Sequence, residues 1–300
     1  MTILLLPLSL LIWLINTSIN NRFEKKVSRK TSDTLLYGAL CLLTGAALFA
    51  VLMRPYFLPS RYTLGLGVLF GVITVLGQLS TLFALSLGPM SLTMLIVFCS
   101  MLIPAFSGAV FWKEPIGIFQ LIGVVAILVA LFLCSYVKVN TKQKRMNGRW
   151  RLLCFVAFFS TGMTGVLQKV HQSSPYKNEL DAFLVVAFLT GTILTFSAWF
   201  LFRKGEKKAK ESTHIPTALF AMAGLAGLAL GGIYKINMFL SGALPSILFF
   251  PINNGGCILL SAIISVVVFK EKLTGGQKLG LLIGVIAIAL LGNVMDLIVK

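Results

Sequence analysis

The chain has 300 residues, 57% of them hydrophobic and only 12% charged, with a formal net charge of +17 and a mean hydropathy of +0.93. This composition excludes an ordinary water-soluble domain, because one core cannot bury so large an apolar fraction. It also argues against nucleic acid as the partner of the positive charge, since Lys and Arg cluster in the breaks between apolar runs, where membrane-orientation signals belong.

A hydrocarbon core about 30 Å thick needs about 20 apolar residues per helical crossing. In chain order, runs of that length predict ten transmembrane helices near residues 2–20, 33–53, 63–86, 90–112, 116–137, 152–170, 181–202, 215–239, 244–269 and 274–297. The first run resembles a secretory leader but has no basic residues ahead of it. Polar Asn16, Asn20 and Asn21 follow it in place of a small-residue cleavage site, so it reads as a retained helix. Gly88-Pro89, Lys113-Glu114-Pro115 and the stretch from Gly242 to Pro245 are too short for anything but antiparallel hairpin turns. The runs stay apolar instead of alternating, which selects helices over an outer-membrane barrel. Cys41, Cys99, Cys134, Cys154 and Cys257 all lie inside apolar runs without metal-ligand or redox spacing, so they read as packing residues; no metal or other cofactor is expected.

An internal repeat organises these elements. At a constant offset of 157 residues, Phe111-Trp112-Lys113-Glu114-Pro115-Ile116 falls on Val268-Phe269-Lys270-Glu271-Lys272-Leu273. The register continues with Gln120 on Gln277, Gly123 on Gly280, Ala130 on Ala287 and Leu133 on Leu290. Chance apolar similarity does not reproduce Lys-Glu, Gln and Gly in one register, so the pattern reads as duplication. It divides the chain into a first five-helix half over 1–137, a basic linker over 138–151 and a second half over 152–297. Five crossings per half place the second half in the membrane inverted relative to the first. Most of the 26 basic residues then fall on one side, in clusters at Arg22–Lys30, Lys138–Arg151, Arg203–Lys210 and Lys270–Lys278. Arg54, Arg61, Lys113, Lys169, Lys177, Lys235 and Lys300 fall on the other, and the positive-inside rule puts both termini outside the cytoplasm of a plasma-membrane protein.

With ten spans, two five-helix repeats and a short Lys-Glu turn between the fourth and fifth helix of each, followed by a Gly-rich helix, the chain resembles the EamA-type branch of the drug/metabolite transporter superfamily. The resemblance is most specific at Phe111–Leu133 and Val268–Leu290. It implies a basket of helices around a central cavity and export or exchange of small metabolites by alternating access, with no particular substrate. One departure matters: small multidrug relatives carry a carboxylate in the middle of the first helix, whereas no Asp or Glu occurs here before Glu24.

Ionisable groups at bilayer depth cost about 2.5–3.5 kcal/mol on insertion scales, which makes them functional candidates. The nine acids, Glu24, Asp33, Glu114, Glu179, Asp181, Glu206, Glu211, Glu271 and Asp296, all read as lying at span ends or in loops within reach of water. That weighs against multidrug antiport through a buried carboxylate. Lys235 is the exception among the bases, about seven residues before Gly242 and so about 10 Å inside its helix. A lysine there offers a fixed positive charge to a carboxylate or phosphate, with Tyr234 and Asn237 beside it to add hydrogen bonds. The competing reading is a stem that snorkels to the interface. Gln78 is the repeat counterpart of Lys235, followed by Ser80 and Thr81.

Further polar breaks supply the remaining candidates. In the ninth span, Pro251-Ile252-Asn253-Asn254-Gly255-Gly256 sets a helix breaker, two amides and two glycines inside an apolar run. A binding or hinge role contends there with close helix packing, and Ser100 with Pro104 forms a weaker counterpart in the fourth span. Trp13 and Asn16 are three residues apart and share a helix face, as the wall of a solute site requires; an interfacial anchor explains Trp13 as well. Trp112, Trp150 and Trp199 read as interfacial belt residues, and Glu114 and Glu271 as capping or pairing groups of the two turns.

The expected partners are therefore the lipid bilayer and a small solute of the amino-acid or organic-anion class, and a homodimer is left open as the assembly. A lipophilic-cation exporter and a flippase for a lipid-linked substrate are the alternative transporters. An enzyme is disfavoured, since the two histidines, His171 and His214, lie at span ends and no HExxH, GxSxG or P-loop pattern occurs.

Overall fold

The computed structural model describes residues 2–26, 30–53, 59–135, 148–206, 217–267 and 274–291, and among them it is built from helices alone. These are α1 (Thr2–Lys26), α2 (Thr31–Leu52), α3 (Arg61–Leu87), α4 (Met90–Cys99), α5 (Leu102–Trp112), α6 (Ile118–Ser135), α7 (Gly148–Gln172), α8 (Leu180–Glu206), α9 (Thr217–Ala243), α10 (Ser246–Val267) and α11 (Gly275–Leu291), with a 3₁₀ turn at Lys177–Glu179. Each falls on a predicted apolar run. Six segments, Thr31–Leu52, Arg61–Leu87, Leu92–Trp112, Gly148–Gln172, Lys177–Lys204 and Thr217–Ala243, are long and apolar enough to cross a membrane.

The fourth run differs from the expectation of one helix, for a reason carried by Pro104. Proline has no N–H to offer the Ser100 carbonyl four residues back. That carbonyl instead accepts the Ile103 N–H at 3.0 Å, while Ser100 and Met101 donate to carbonyls three residues back, and the chain tightens into a 3₁₀ junction between α4 and α5. Pro251 has no such effect: α10 runs helically through residues 251–256.

The chain forms two compact units that cut across the sequence halves. The first comprises residues 1–75 and 170–239, the second residues 76–169 and 240–300, and the divisions fall within α3, α7 and α9.

In the first unit, α2 and α8 form the most extensively packed helix pair. A small residue allows the approach: a Cβ on Gly45 of α2 would strike the Phe188 ring of α8 at 2.5 Å. An aromatic chain fills the interior, with Phe70 edge-on to Phe183 and Tyr234, and Tyr234 edge-on to Phe188. Helix α1 is tied in by a polar relay. The Tyr37 hydroxyl donates to Asn20 Oδ1 at 2.7 Å, Asn20 Nδ2 to Asn16 Oδ1 at 2.9 Å, and Asn16 Nδ2 to the Ala226 carbonyl of α9 at 2.8 Å. Phe23 stacks on Tyr37 beside this relay.

In the second unit, α6 packs most extensively on α11, and α5 on α10. The repeated glutamines cap the paired helices in the same way: Gln120 Oε1 accepts the Gly117 N–H and Gln277 Oε1 the Thr274 N–H, both at 3.0 Å. Trp150, expected in an interfacial belt, is instead buried against Ala84 and Cys154, with its indole N–H donating to Thr93 Oγ1 at 3.0 Å. An indole can be buried when its one donor finds an acceptor, and Thr93 supplies it.

Candidate functional site

Among the described residues, two lysine–carboxylate pairs stand out, one in each unit. In the second unit, Lys113 ends α5 with φ 54°, the left-handed conformation, and turns Glu114 back over the helix, where its N–H reaches the Gly108 carbonyl. Glu114 Oε2 then accepts the Ser246 N–H at 2.7 Å, capping the start of α10 where the helix dipole favours an anion. Glu114 Oε1 meets Lys169 Nζ at 2.7 Å, and Lys169 also donates to the Leu244 carbonyl at 3.2 Å. The two side chains are 16% and 6% exposed. One carboxylate therefore joins three segments, and each head group has two partners, in line with the capping and pairing role expected of Glu114. Glu271 lies outside the described residues.

In the first unit, Lys235 Nζ meets Asp181 Oδ1 at 2.8 Å, with the side chains 42% and 28% exposed. Lys235 sits eight residues before the end of α9 at Ala243, about 12 Å along the axis, and Asp181 is the second residue of α8. Asp181 Oδ1 is buried and receives no aligned hydrogen bond, so charge alone holds the pair. Lys235 does not stand free: an acid from the start of α8 meets it.

The acids require a correction, because Glu179 is buried, not bathed by water. Its Oε2 accepts the Ser60 N–H at 3.0 Å and the Ser60 hydroxyl at 2.8 Å at the head of α3. A capping carboxylate at a span end can exchange water for these donors, which proximity to the span end does not reveal. Likewise Lys235 is not the sole internal base, since Lys169 is more buried. His171 is also fully buried, against Phe183, with no partner on Nε2.

The other candidates separate. Tyr234 and Asn237 are three residues apart and share a face of α9, whereas Lys235 points about 100° away from Tyr234. Tyr234 is held by Phe70 and Phe188, and the Asn237 Oδ1 atom is buried without a partner. Asn16 is consumed by its relay to Ala226, which corrects its reading as a free solute contact, and Trp13 is half-buried on α1. In the second unit, Gln78 is exposed on α3. Asn254 Nδ2 donates to the Phe250 carbonyl of its own helix at 3.1 Å, and Asn253 is half-buried. Gly255 and Gly256 are buried; a Cβ on Gly255 would collide with Ile127 of α6, and one on Gly165 of α7 would approach Pro104 at 2.8 Å. These contacts favour close helix packing at Gly255 and at Pro104. Among the described residues no group of His, Cys, Asp and Glu is arranged to hold a metal.

The arrangement defines an all-helical protein of membrane-spanning type with a partly exposed charge pair in one helical unit. No protein-family model and no curated protein matches the chain. A solved structure, described only as the crystal structure of a protein, superposes with a TM-score of 0.72 over 97% of this chain and 98% of its own, at 14% identity. At that identity the likeness extends to the fold.

Proposed function

We propose that the chain is a secondary transporter of a small anionic or zwitterionic solute, working by alternating access, with ten spans in two inverted five-helix repeats. We assign it to the EamA-type drug/metabolite transporters, as a non-enzymatic plasma-membrane protein with both termini outside the cytoplasm. The observation that carries the solute reading is the Lys235–Asp181 pair: a lysine about 12 Å inside its helix, held by charge alone and still 42% exposed. A charge with free surface can take up an anion.

The helix pairing supports the repeat. An offset of 157 residues carries α3 (61–87) to 218–244 and α6 (118–135) to 275–292, within one residue of α9 and α11 at each end. The same offset carries the α4–α5 pair to 247–269, over α10 at 246–267. The leading helix pairs, α6 with α11, α2 with α8 and α5 with α10, join repeat counterparts. Two copies related by a two-fold axis pack like with like near that axis.

The test is ligand-dependent thermal stabilisation of the purified protein across amino acids, organic acids, phosphorylated sugars, nucleosides and quaternary amines, since a bound solute raises stability by mass action. Stabilisation by anions or zwitterions that disappears in Lys235→Ala is the expected result. Stabilisation by lipophilic cations alone would overturn the reading.

A further inference from the structure

A structural ion pair and a displaceable one differ in what else holds their head groups. Lys169–Glu114 is the structural kind: further hydrogen bonds from Ser246 and to Leu244 fix both partners, and little of either side chain is exposed. Lys235–Asp181 has neither property, with 42% and 28% exposure and no aligned hydrogen bond on the buried Asp181 Oδ1.

The two members of this pair are also unequal. Asp181 stands in the first turn of α8, where the positive end of the helix dipole supports a carboxylate whether or not Lys235 is present. Lys235 lies about two turns inside α9 and has no second source of negative charge among its contacts. Opening the pair therefore leaves the acid supported and the base in need of an anion. The movement required is small. Ala182, Phe183 and Leu184, directly after Asp181, are buried and fix the backbone, so a rotation of the short Asp181 side chain suffices.

We propose that Asp181 is an internal competitor for the solute: its carboxylate occupies Lys235 in the solute-free protein and is displaced by a carboxylate of the solute. The proposal rests on Lys235 being the solute anchor. It names the ligand group as a carboxylate, because a carboxylate already makes the 2.8 Å contact and one lysine supplies one positive charge. Asp181 thereby sets affinity. A pair closed about nine-tenths of the time weakens apparent binding about tenfold, since only the open fraction is competent.

The test uses the full-length protein in detergent, titrated with acetate, lactate and succinate, with acetamide, lactamide and succinamide as neutral controls; melting-temperature shifts report binding. Asp181→Asn and Asp181→Ser are expected to lower the half-saturating carboxylate concentration about five- to tenfold, leave the amides without effect, and lose the response when combined with Lys235→Ala. If both variants bind no tighter than wild type while Lys235→Ala abolishes binding, the anchor stands and the competitor falls. If wild type and Lys235→Ala respond alike, or no carboxylate stabilises Asp181→Asn, the anchor itself falls and the proposal with it. A readout independent of folded variants is acylation of Lys235 in the wild-type protein, followed by peptide mass spectrometry. Raising salt from 0.05 to 1 M screens the pair and is expected to speed acylation of Lys235 several-fold relative to Lys169; an unchanged ratio counts against a displaceable pair.

Discussion

The two lysine–carboxylate pairs look alike as distances, 2.7 Å for Lys169–Glu114 and 2.8 Å for Lys235–Asp181, and differ in everything around them. Glu114 caps α10 while it holds Lys169, and Lys169 finds a second acceptor, so removing either partner strands buried polar groups. Asp181 and Lys235 hold only each other and keep exposed surface. Burial and further partners, not the length of the ion pair, separate a clasp from a candidate site.

The sharpest way to break this comparison is to truncate the clasp. Lys169→Ala leaves the Glu114 carboxylate, only 16% exposed, without its counter-charge, and a stability loss of about 3–5 kcal/mol is expected, read as a lower melting temperature in detergent. A shift as small as that of Lys235→Ala would show that the pairs are equivalent. Next in size is the neutral relay of the first unit. Asn16→Leu removes the bonds to Asn20 and Ala226 and is expected to cost about 1–3 kcal/mol, measurable in the same melts, which places a fully satisfied uncharged network between the two pairs. Lys113→Gly acts in the opposite direction. It relieves a left-handed lysine at the turn that delivers Glu114 and is expected to raise stability by about 1 kcal/mol; a loss would show that the Lys113 side chain contributes more than its strain costs. Lys235→Ala is expected to change stability least, by under about 1 kcal/mol, as befits a partly exposed pair.

Much of the fold was legible in the sequence because bilayer-length apolar runs constrain helices strongly, and all ten predicted runs carry helix. The apolar pattern reveals neither the break at Ser100–Met101 nor the continuity of α10 through Pro251. Both prolines remove an N–H, yet the chain tightens into a 3₁₀ junction only at Pro104. Lys235 was legible as a candidate from its depth alone. Asp181 was not, because a residue at a span end carries no sequence signal that separates a water-exposed acid from one turned toward the neighbouring helix. The grouping of Tyr234, Lys235 and Asn237 failed for the same kind of reason: adjacency in sequence is not adjacency on a helix face. The burial of Trp150 and Glu179 was not legible because their partners, Thr93 and Ser60, are 57 and 119 residues away.

The most direct test of the account sets Lys169→Ala and Lys235→Ala side by side, recording for each purified protein the melting temperature and its shift with saturating organic carboxylate. Lys169→Ala is expected to melt far lower yet keep the shift wherever it remains folded, and Lys235→Ala to melt near wild type with the shift gone. Retention of the full shift in Lys235→Ala would contradict it.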